Sequence, residues 1–191
     1  VDIAREAGIL IMEIYKKDFK IEFKDDKSPL TEADTKANEI ICRSLKKVYP
    51  NIPIMSEENK LIDYETRKNW EYYWCIDPID GTKEFIKKND EFTVNIAFVE
   101  ENKPVLGVVY TPVLDELFYG EVGCGAFKIG QAGIIVGKNK DFLDQAVSLP
   151  IKSEKSYFGI VASRSHLTKE TTNYINKIRK EHQDVKIISK G

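Results

Sequence analysis

The sequence predicts a layered α+β protein, and three observations carry that expectation. Two amphipathic helical patterns come first, a run of strand patterns at hairpin spacing follows, and one strand–helix–strand pattern closes the chain. The length of 191 residues suits one full domain with part of a second.

The first helix is expected to about Tyr15, because Ile3, Ala7, Leu10, Ile11 and Ile14 recur on one face. Lys24-Asp25-Asp26-Lys27-Ser28-Pro29 is polar, holds a proline and reads as a loop. A second helix starts near Thr31, carries Ala37, Ile40, Ile41, Leu45 and Val48 on one face, and stops before Pro50. Residues 52–55 form a short apolar strand that runs into Ser56-Glu57-Glu58. Residues 70–76 form an aromatic-rich strand that ends at Asp77-Pro78. Further strands are expected over 92–99, 105–110 and 116–121, the first two joined through residues 100–104 as an antiparallel pair. Gly123-Cys124-Gly125 reads as a hairpin turn, and residues 133–137 as another strand. A linker over 149–155 separates a domain at 1–149 from residues 150–191, which read as a strand (157–162), a helix (167–182) and a strand (185–189). A lone βαβ unit leaves its faces uncovered, so a second domain that continues past Gly191 is expected, with cover by another chain as the alternative.

Composition narrows the function. Hydrophobic residues make up 42% of the chain, enough for a sizeable core. Lys plus Arg number 29 against 31 Asp plus Glu, a net charge of -2. That balance argues against a nucleic-acid partner or a broad anionic-membrane footprint, and leaves room for one small anion pocket. No apolar run approaches the ~20 residues of a transmembrane helix, and no signal-peptide pattern opens the chain. Cys42, Cys75 and Cys124 are odd in number and lack metal-ligand spacing. They argue against a disulfide framework or a cysteine zinc site and for a reducing cytoplasm; a cytoplasmic protein is expected, with a peripheral place at the inner face of the membrane as the alternative. Cys75 is expected to pack beside Trp74 in the core, and His182 to face solvent near the end of its helix.

The chemistry concentrates in Asp77-Pro78-Ile79-Asp80-Gly81-Thr82. A strand delivers Asp77 to the sheet edge, and Asp80 follows on the same turn, so both carboxylates can face one point. Two such groups repel unless a cation lies between them, and oxygen-only ligation suits Mg²⁺. Gly81 lets the backbone approach a ligand, and Thr82 is placed to cap a helix begun by residues 83–88, whose amides would then face a phosphate. Taken alone, the stretch also reads as an Asp-Pro turn followed by an Asp-Gly turn. Glu57 in Ser56-Glu57-Glu58 is a third acidic group for the same metals, or part of a solvated turn. Asp34 sits in the first turn of helix two, where a capping box with Thr31 is the alternative explanation. The three segments together point to a metal-and-phosphate site.

In these residues the chain resembles the family of inositol-monophosphatase-like, metal-dependent, lithium-sensitive phosphatases. The cues are residues 77–87, Glu91-Phe92-Thr93-Val94-Asn95-Ile96-Ala97, Val108-Val109-Tyr110 with Pro112, and Ser163-Arg164-Ser165-His166. Lys83-Glu84 is similar to the branch of bacterial 3'(2'),5'-bisphosphate nucleotidases. The resemblance implies an inositol-monophosphatase-like fold with its second domain incomplete. It also implies that Glu57, Asp77 and Asp80, with the Ile79 carbonyl, ligate two or three Mg²⁺ ions. Gly81 and Thr82, beside Glu57 and Asp80, would receive the phosphate, and the Asp34–Thr82 pair would orient and deprotonate a water. Ser163, Arg164 and His166 would contact the substrate; a surface ion pair for Arg164 and a helix-cap role for His166 are the alternatives. The implied reaction is hydrolysis of the 3'-phosphate of 3'-phosphoadenosine 5'-phosphate, a small phosphorylated nucleotide, to AMP and phosphate. An inositol- or sugar-phosphate phosphatase and a non-catalytic phosphate-binding module are the alternatives. The family's downstream Trp-Asp-x-Ala-Ala element does not occur before Gly191, so these 191 residues are expected to be catalytically incomplete.

Overall fold

The computed structural model describes residues 1–132, 145–151, 157–163 and 167–190. They form two compact units, Val1–Pro150 and Ile151–Gly191.

In the first unit, α1 (Asp2–Tyr15) buries Ala4, Ala7, Ile11, Ile14 and Tyr15 along one stripe. Its small residues let it lie close to the sheet: a Cβ on Gly8 would collide with the Tyr110 ring. The expected loop at 24–29 is the tip of a hairpin between β1 (Ile21–Phe23) and β2 (Pro29–Thr31). The Asp26 carboxylate closes that tip by accepting from the Ser28 amide and hydroxyl at 2.9 and 2.6 Å, and Lys27 takes the left-handed φ of 66° that the turn requires. The strand β1 is exposed throughout and only three residues long, so the polar–apolar alternation of residues 20–24 is too short to announce it.

The second helix, α2 (Glu32–Val48), begins as its capping box predicts. The Thr31 hydroxyl oxygen accepts from the Ala33 amide at 3.2 Å, while the Thr31 amide donates to Asp34 Oδ2 at 2.8 Å. Ala33, Ala37, Ile41 and Leu45 are buried; Val48, expected on that face, is 61% exposed, because the helix ends there with Tyr49 as its C-cap.

A sheet of seven strands follows in strictly sequential order. β3 (Ile54–Ser56) runs parallel to β4 (Tyr72–Asp80), with the single-turn α3 (Tyr64–Arg67) between them in sequence. After the five-residue α4 (Thr82–Ile86), β5 (Thr93–Glu100), β6 (Lys103–Thr111), β7 (Glu116–Glu121), β8 (Gly125–Gly130) and β9 (Val147–Ser148) add on antiparallel. The expected turn at 123–125 leads into β8, a strand the sequence reading lacked; the strand expected at 133–137 lies outside the described residues. Trp74 is buried against Phe98 and Tyr49 at ring separations of 5.0 and 5.5 Å, and strand alternation turns Cys75, only partly buried, to the other face of the sheet, away from its expected neighbour. Phe85 of α4 is fully buried, with its ring 5.0 Å from Tyr15, 4.8 Å from Phe19 and 5.1 Å from Phe92. That aromatic cluster fixes α4, and with it the turn that precedes it, against α1.

In the second unit β10 (Phe158–Ser163) pairs in parallel with β11 (Val185–Lys190), and α5 (Lys169–Glu181) connects them. Thr168 caps α5 by accepting from the Thr171 amide at 3.2 Å, and His182 ends it, stacked on Phe158 at 4.2 Å. Among the described residues, no helix is long and apolar enough to cross a membrane.

Candidate active site

The strand β4 does not stop at Asp77-Pro78 as its sequence suggests; it runs on to Asp80. Asp77 pairs with Asn95 and Asp80 with Thr93, so the register slips by one residue between them. The slip has a chemical consequence. Two residues separated by an odd number of positions point to opposite faces of a regular strand, and one inserted residue restores them to the same face. The bulge therefore brings Asp77 and Asp80 to one side and relieves Pro78 of a ladder hydrogen bond it could not make.

Gly81 follows with φ 101°, and a Cβ there would lie 2.8 Å from the Glu91 carbonyl oxygen, so only glycine fits. Gly81, and not Thr82, occupies the N-cap position of α4. Thr82 is instead the first helical residue, and its hydroxyl lies 3.2 Å from both Asp34 Oδ1 and the Ile79 carbonyl. Asp34 is completely buried, and its Oδ2 accepts from the Thr31 amide and hydroxyl at 2.8 and 2.5 Å, which leaves Oδ1 to Thr82. Burial pushes the Asp34 carboxyl above the usual range, against the opposing pull of the Thr31 and Thr82 hydrogen bonds.

Glu57 sits just beyond β3, where its amide donates to the Ile76 carbonyl at 3.1 Å. The turn beneath it is clamped to α2: the Ser56 hydroxyl donates to Asn38 Oδ1 at 2.8 Å, and Asn38 Nδ2 donates to Asn59 Oδ1 at 2.9 Å. Asp77 is the pivot of the group. Its Oδ1 is buried with no hydrogen-bond partner, and its carboxyl is pushed up to about 7, first by burial and then by the negative charges of Glu57 and Asp80. Among the described residues no three acidic, histidine or cysteine side chains stand together closely enough to hold a metal ion, so the convergence expected of Glu57, Asp77 and Asp80 is not complete here. Glu57 meets the Lys24 ammonium at 3.1 Å, and Asp80 Oδ2 accepts from Asn95 Nδ2 at 3.1 Å. An orphaned buried carboxylate oxygen, two more carboxylates whose charge it feels and a nearby main-chain carbonyl make an all-oxygen donor set, which fits a hard divalent cation.

The profile of the Inositol monophosphatase family matches residues 1–191. The chain belongs to the inositol monophosphatase family. The 3'(2'),5'-bisphosphate nucleotidase CysQ of Salmonella typhimurium is 42% identical over 187 residues, which cover 97% of this chain and 70% of that protein. The CysQ of Buchnera aphidicola is 41% identical over 179 residues, covering 93% of this chain and 62% of the relative. Among solved structures, CysQ of Bacteroides thetaiotaomicron, a bacterial member of the inositol monophosphatase family, superposes with a TM-score of 0.84 at 44% identity, over 100% of this chain and 70% of that one. The extragenic suppressor protein suhB of Bartonella henselae gives 0.73 at 27% identity, over 100% of this chain and 68% of that one. The inositol-monophosphatase-like fold expected from the sequence is the fold found.

Within this family member, the first unit brings Asp34 of α2 against the Ile79–Thr82 turn and places Asp77 where it feels the charges of Glu57 and Asp80. Ser163 ends β10 in the second unit, and Arg164 and His166 lie outside the described residues. Three residues that shape the site were given no site role in the sequence reading. Asn38 interrupts the apolar stripe of α2 one residue after Ala37, a signal that was there to be read. Asn95 is a polar residue opposite Asp77 in a strand that is apolar at its other interior positions, 94 and 96–99. Lys24 carries no local signal, because nothing in a polar hairpin tip says which lysine turns inward.

Proposed function

We propose that the protein is a Mg²⁺-dependent 3'(2'),5'-bisphosphate nucleotidase that hydrolyses the 3'-phosphate of 3'-phosphoadenosine 5'-phosphate to AMP and phosphate. Membership of the inositol monophosphatase family and the names of the CysQ relatives support this reading. The observation that carries it is the buried, unpartnered Asp77 Oδ1 beside Glu57 and Asp80, one turn from the Asp34–Thr82 pair.

Asp77, Glu57 and Asp80, with the Ile79 carbonyl, would hold two or three Mg²⁺ ions, which supply Lewis-acid polarisation of the phosphate and a more acidic water. The remaining work falls to the chain itself. A hydroxyl has one proton to donate, and Thr82 has two acceptors in reach, Asp34 and the Ile79 carbonyl. A Thr82 proton directed to Asp34 would leave the hydroxyl oxygen to accept from a water. Asp34, buried and raised, is suited to take up the proton that Thr82 passes on. Gly81 sets the chain direction at this turn, so the phosphate meets backbone without an intervening side chain.

We read residues 1–149 as the metal-site domain and residues 150–191 as part of a second α/β domain, from which Ser163, Arg164 and His166 would contact the nucleotide. The free thiols of Cys42, Cys75 and Cys124 suit a reducing cytoplasm. The complete protein is expected to prefer 3'-phosphoadenosine 5'-phosphate to inositol 1-phosphate by at least about tenfold in kcat/KM, or ~1.4 kcal/mol of differential transition-state binding. Lithium should inhibit the same reaction. Assay of both substrates side by side at fixed Mg²⁺ tests this, and an equal or reversed preference moves the assignment to the inositol-phosphate branch.

A further inference from the structure

The turn over residues 56–59, which presents Glu57, is tied to α2 by a closed ring of side-chain hydrogen bonds. Asn38 Oδ1 accepts from the Ser56 hydroxyl at 2.8 Å and from the Cys42 thiol at 3.3 Å. Asn38 Nδ2 donates to Asn59 Oδ1 at 2.9 Å, and Asn59 Nδ2 reaches back to Cys42 Sγ at 3.7 Å. Each donor in the ring meets an acceptor, which fixes the orientation of both amides. On its other side the turn is joined to β4, where Ser56 pairs with Ile76 and the Glu57 amide donates to the Ile76 carbonyl. Asn38 is buried on a helix face that otherwise carries Ala33, Ala37, Ile41 and Leu45. A buried amide is costly to desolvate and adds little apolar contact, so its place there is explained by what it holds. Asp34 lies four positions earlier, on the same face of α2, and meets the Thr82 hydroxyl at 3.2 Å. One helix face thus holds both turns.

We infer that Asn38 is a positioning residue: through Ser56 and Asn59 it fastens the backbone that carries Glu57 to the helix that carries Asp34, and so sets how tightly the site takes up a divalent cation. The inference rests on the reading of Glu57, Asp77 and Asp80 as the ligand set. A carboxylate on an unanchored turn must be ordered when it takes a cation, and that ordering is subtracted from affinity. The strand β3 is three residues long and lies at the edge of the sheet, so it gives Glu57 little anchorage of its own. Asn38 acts through Glu57 and has no part in proton transfer.

Calorimetric titration with Mg²⁺, without substrate, tests the inference on wild type, Asn38→Ala, Ser56→Ala and the double variant. Each single change should weaken Mg²⁺ binding about tenfold. The double variant should stay within about twofold of the weaker single one, because both changes cut the same link. Ile129→Val, in the core at β8, serves as a variant that loses stability away from the site and should keep wild-type affinity. A merely structural role for Asn38 would lower Tm and leave affinity where Ile129→Val leaves it, which overturns the inference. Losses that multiply in the double variant also overturn it. Should Asn38→Ala fail to fold, Ser56→Ala decides alone, since it removes a single hydroxyl: weakened binding supports the inference and wild-type binding overturns it. Wild-type protein that binds no Mg²⁺ overturns the metal-site reading, and the inference with it.

Discussion

Asparagine in place of Asp77 should nearly abolish Mg²⁺ uptake and turnover while making the metal-free fold more stable. The first effect follows from removing a ligand charge at the centre of the carboxylate group. The second follows from linkage. In the native protein the Asp77 carboxyl is pushed up to about 7 by burial and then by Glu57 and Asp80, whereas an unfolded aspartate titrates near 3.9. Between those values the native state holds the proton more tightly than the unfolded state. Stability therefore falls as pH rises from about 4 to about 7, and the full penalty is present above that window. Each pH unit is worth about 1.4 kcal/mol, which partial solvent access at Asp77 reduces, so asparagine should recover roughly 1–3 kcal/mol at pH 8. Thermal denaturation at pH 8 in EDTA should show a higher Tm for Asp77→Asn, a gap that closes near pH 4, and no response of the variant to added Mg²⁺. A variant that loses stability in EDTA, or still gains Tm from Mg²⁺, sinks the assignment of Asp77 as the central ligand.

Thr82→Ala should lower kcat of the complete protein by ~10²–10⁴-fold at saturating Mg²⁺, with Thr82→Ser close to wild type. The alanine removes the hydroxyl that sits 3.2 Å from Asp34 Oδ1 and from the Ile79 carbonyl. It also leaves one oxygen of a fully buried carboxylate without its partner, at ~1–3 kcal/mol of stability. The two consequences separate experimentally, because the stability loss appears in the melting curve and the catalytic loss in kcat after Mg²⁺ saturation. Full turnover by the alanine variant would falsify the proton path through Thr82 to Asp34.

What the sequence disclosed divides along physical lines. The helices α1 and α2 were legible because a buried stripe repeats at helical spacing, and Thr31 with Asp34 marked the start of α2. The β5–β6 pair was legible from its connection, where Glu101 and Asn102 adopt the left-handed φ values of 47° and 60° that a tight hairpin uses. The reach of β4 to Asp80 was not. An Asp-Pro pair ordinarily ends a strand, and only the register slip against β5 shows how Pro78 is tolerated inside one. The first hairpin escaped notice because its strands are three residues long, shorter than the four or more over which alternation is read as a strand. For the site, acidic residues at 57, 77 and 80 could be picked out as chemistry, and their roles came from a family resemblance. Thr82 donating to a carboxylate 48 positions earlier is a product of packing, as is the choice of Lys24 as the counter-ion, and periodicity reports neither.

The strand that carries Asp77 and Asp80 is hydrogen-bonded on both flanks, by β3 and by the long β5, whereas β3 is three residues long at the margin of the sheet and has Glu57 just past its end. Local opening free energies follow such wiring: interior strands exchange their amide protons only in the rarest openings, and short marginal strands in frequent ones. The acidic group thus joins a slow-exchanging half to a fast-exchanging half. A cation that bridged them would tie the labile margin to the protected centre, and the slowing of amide exchange on loading would fall on residues 54–59 and on the hairpin that meets them through Lys24, leaving β4 and β5 almost unchanged.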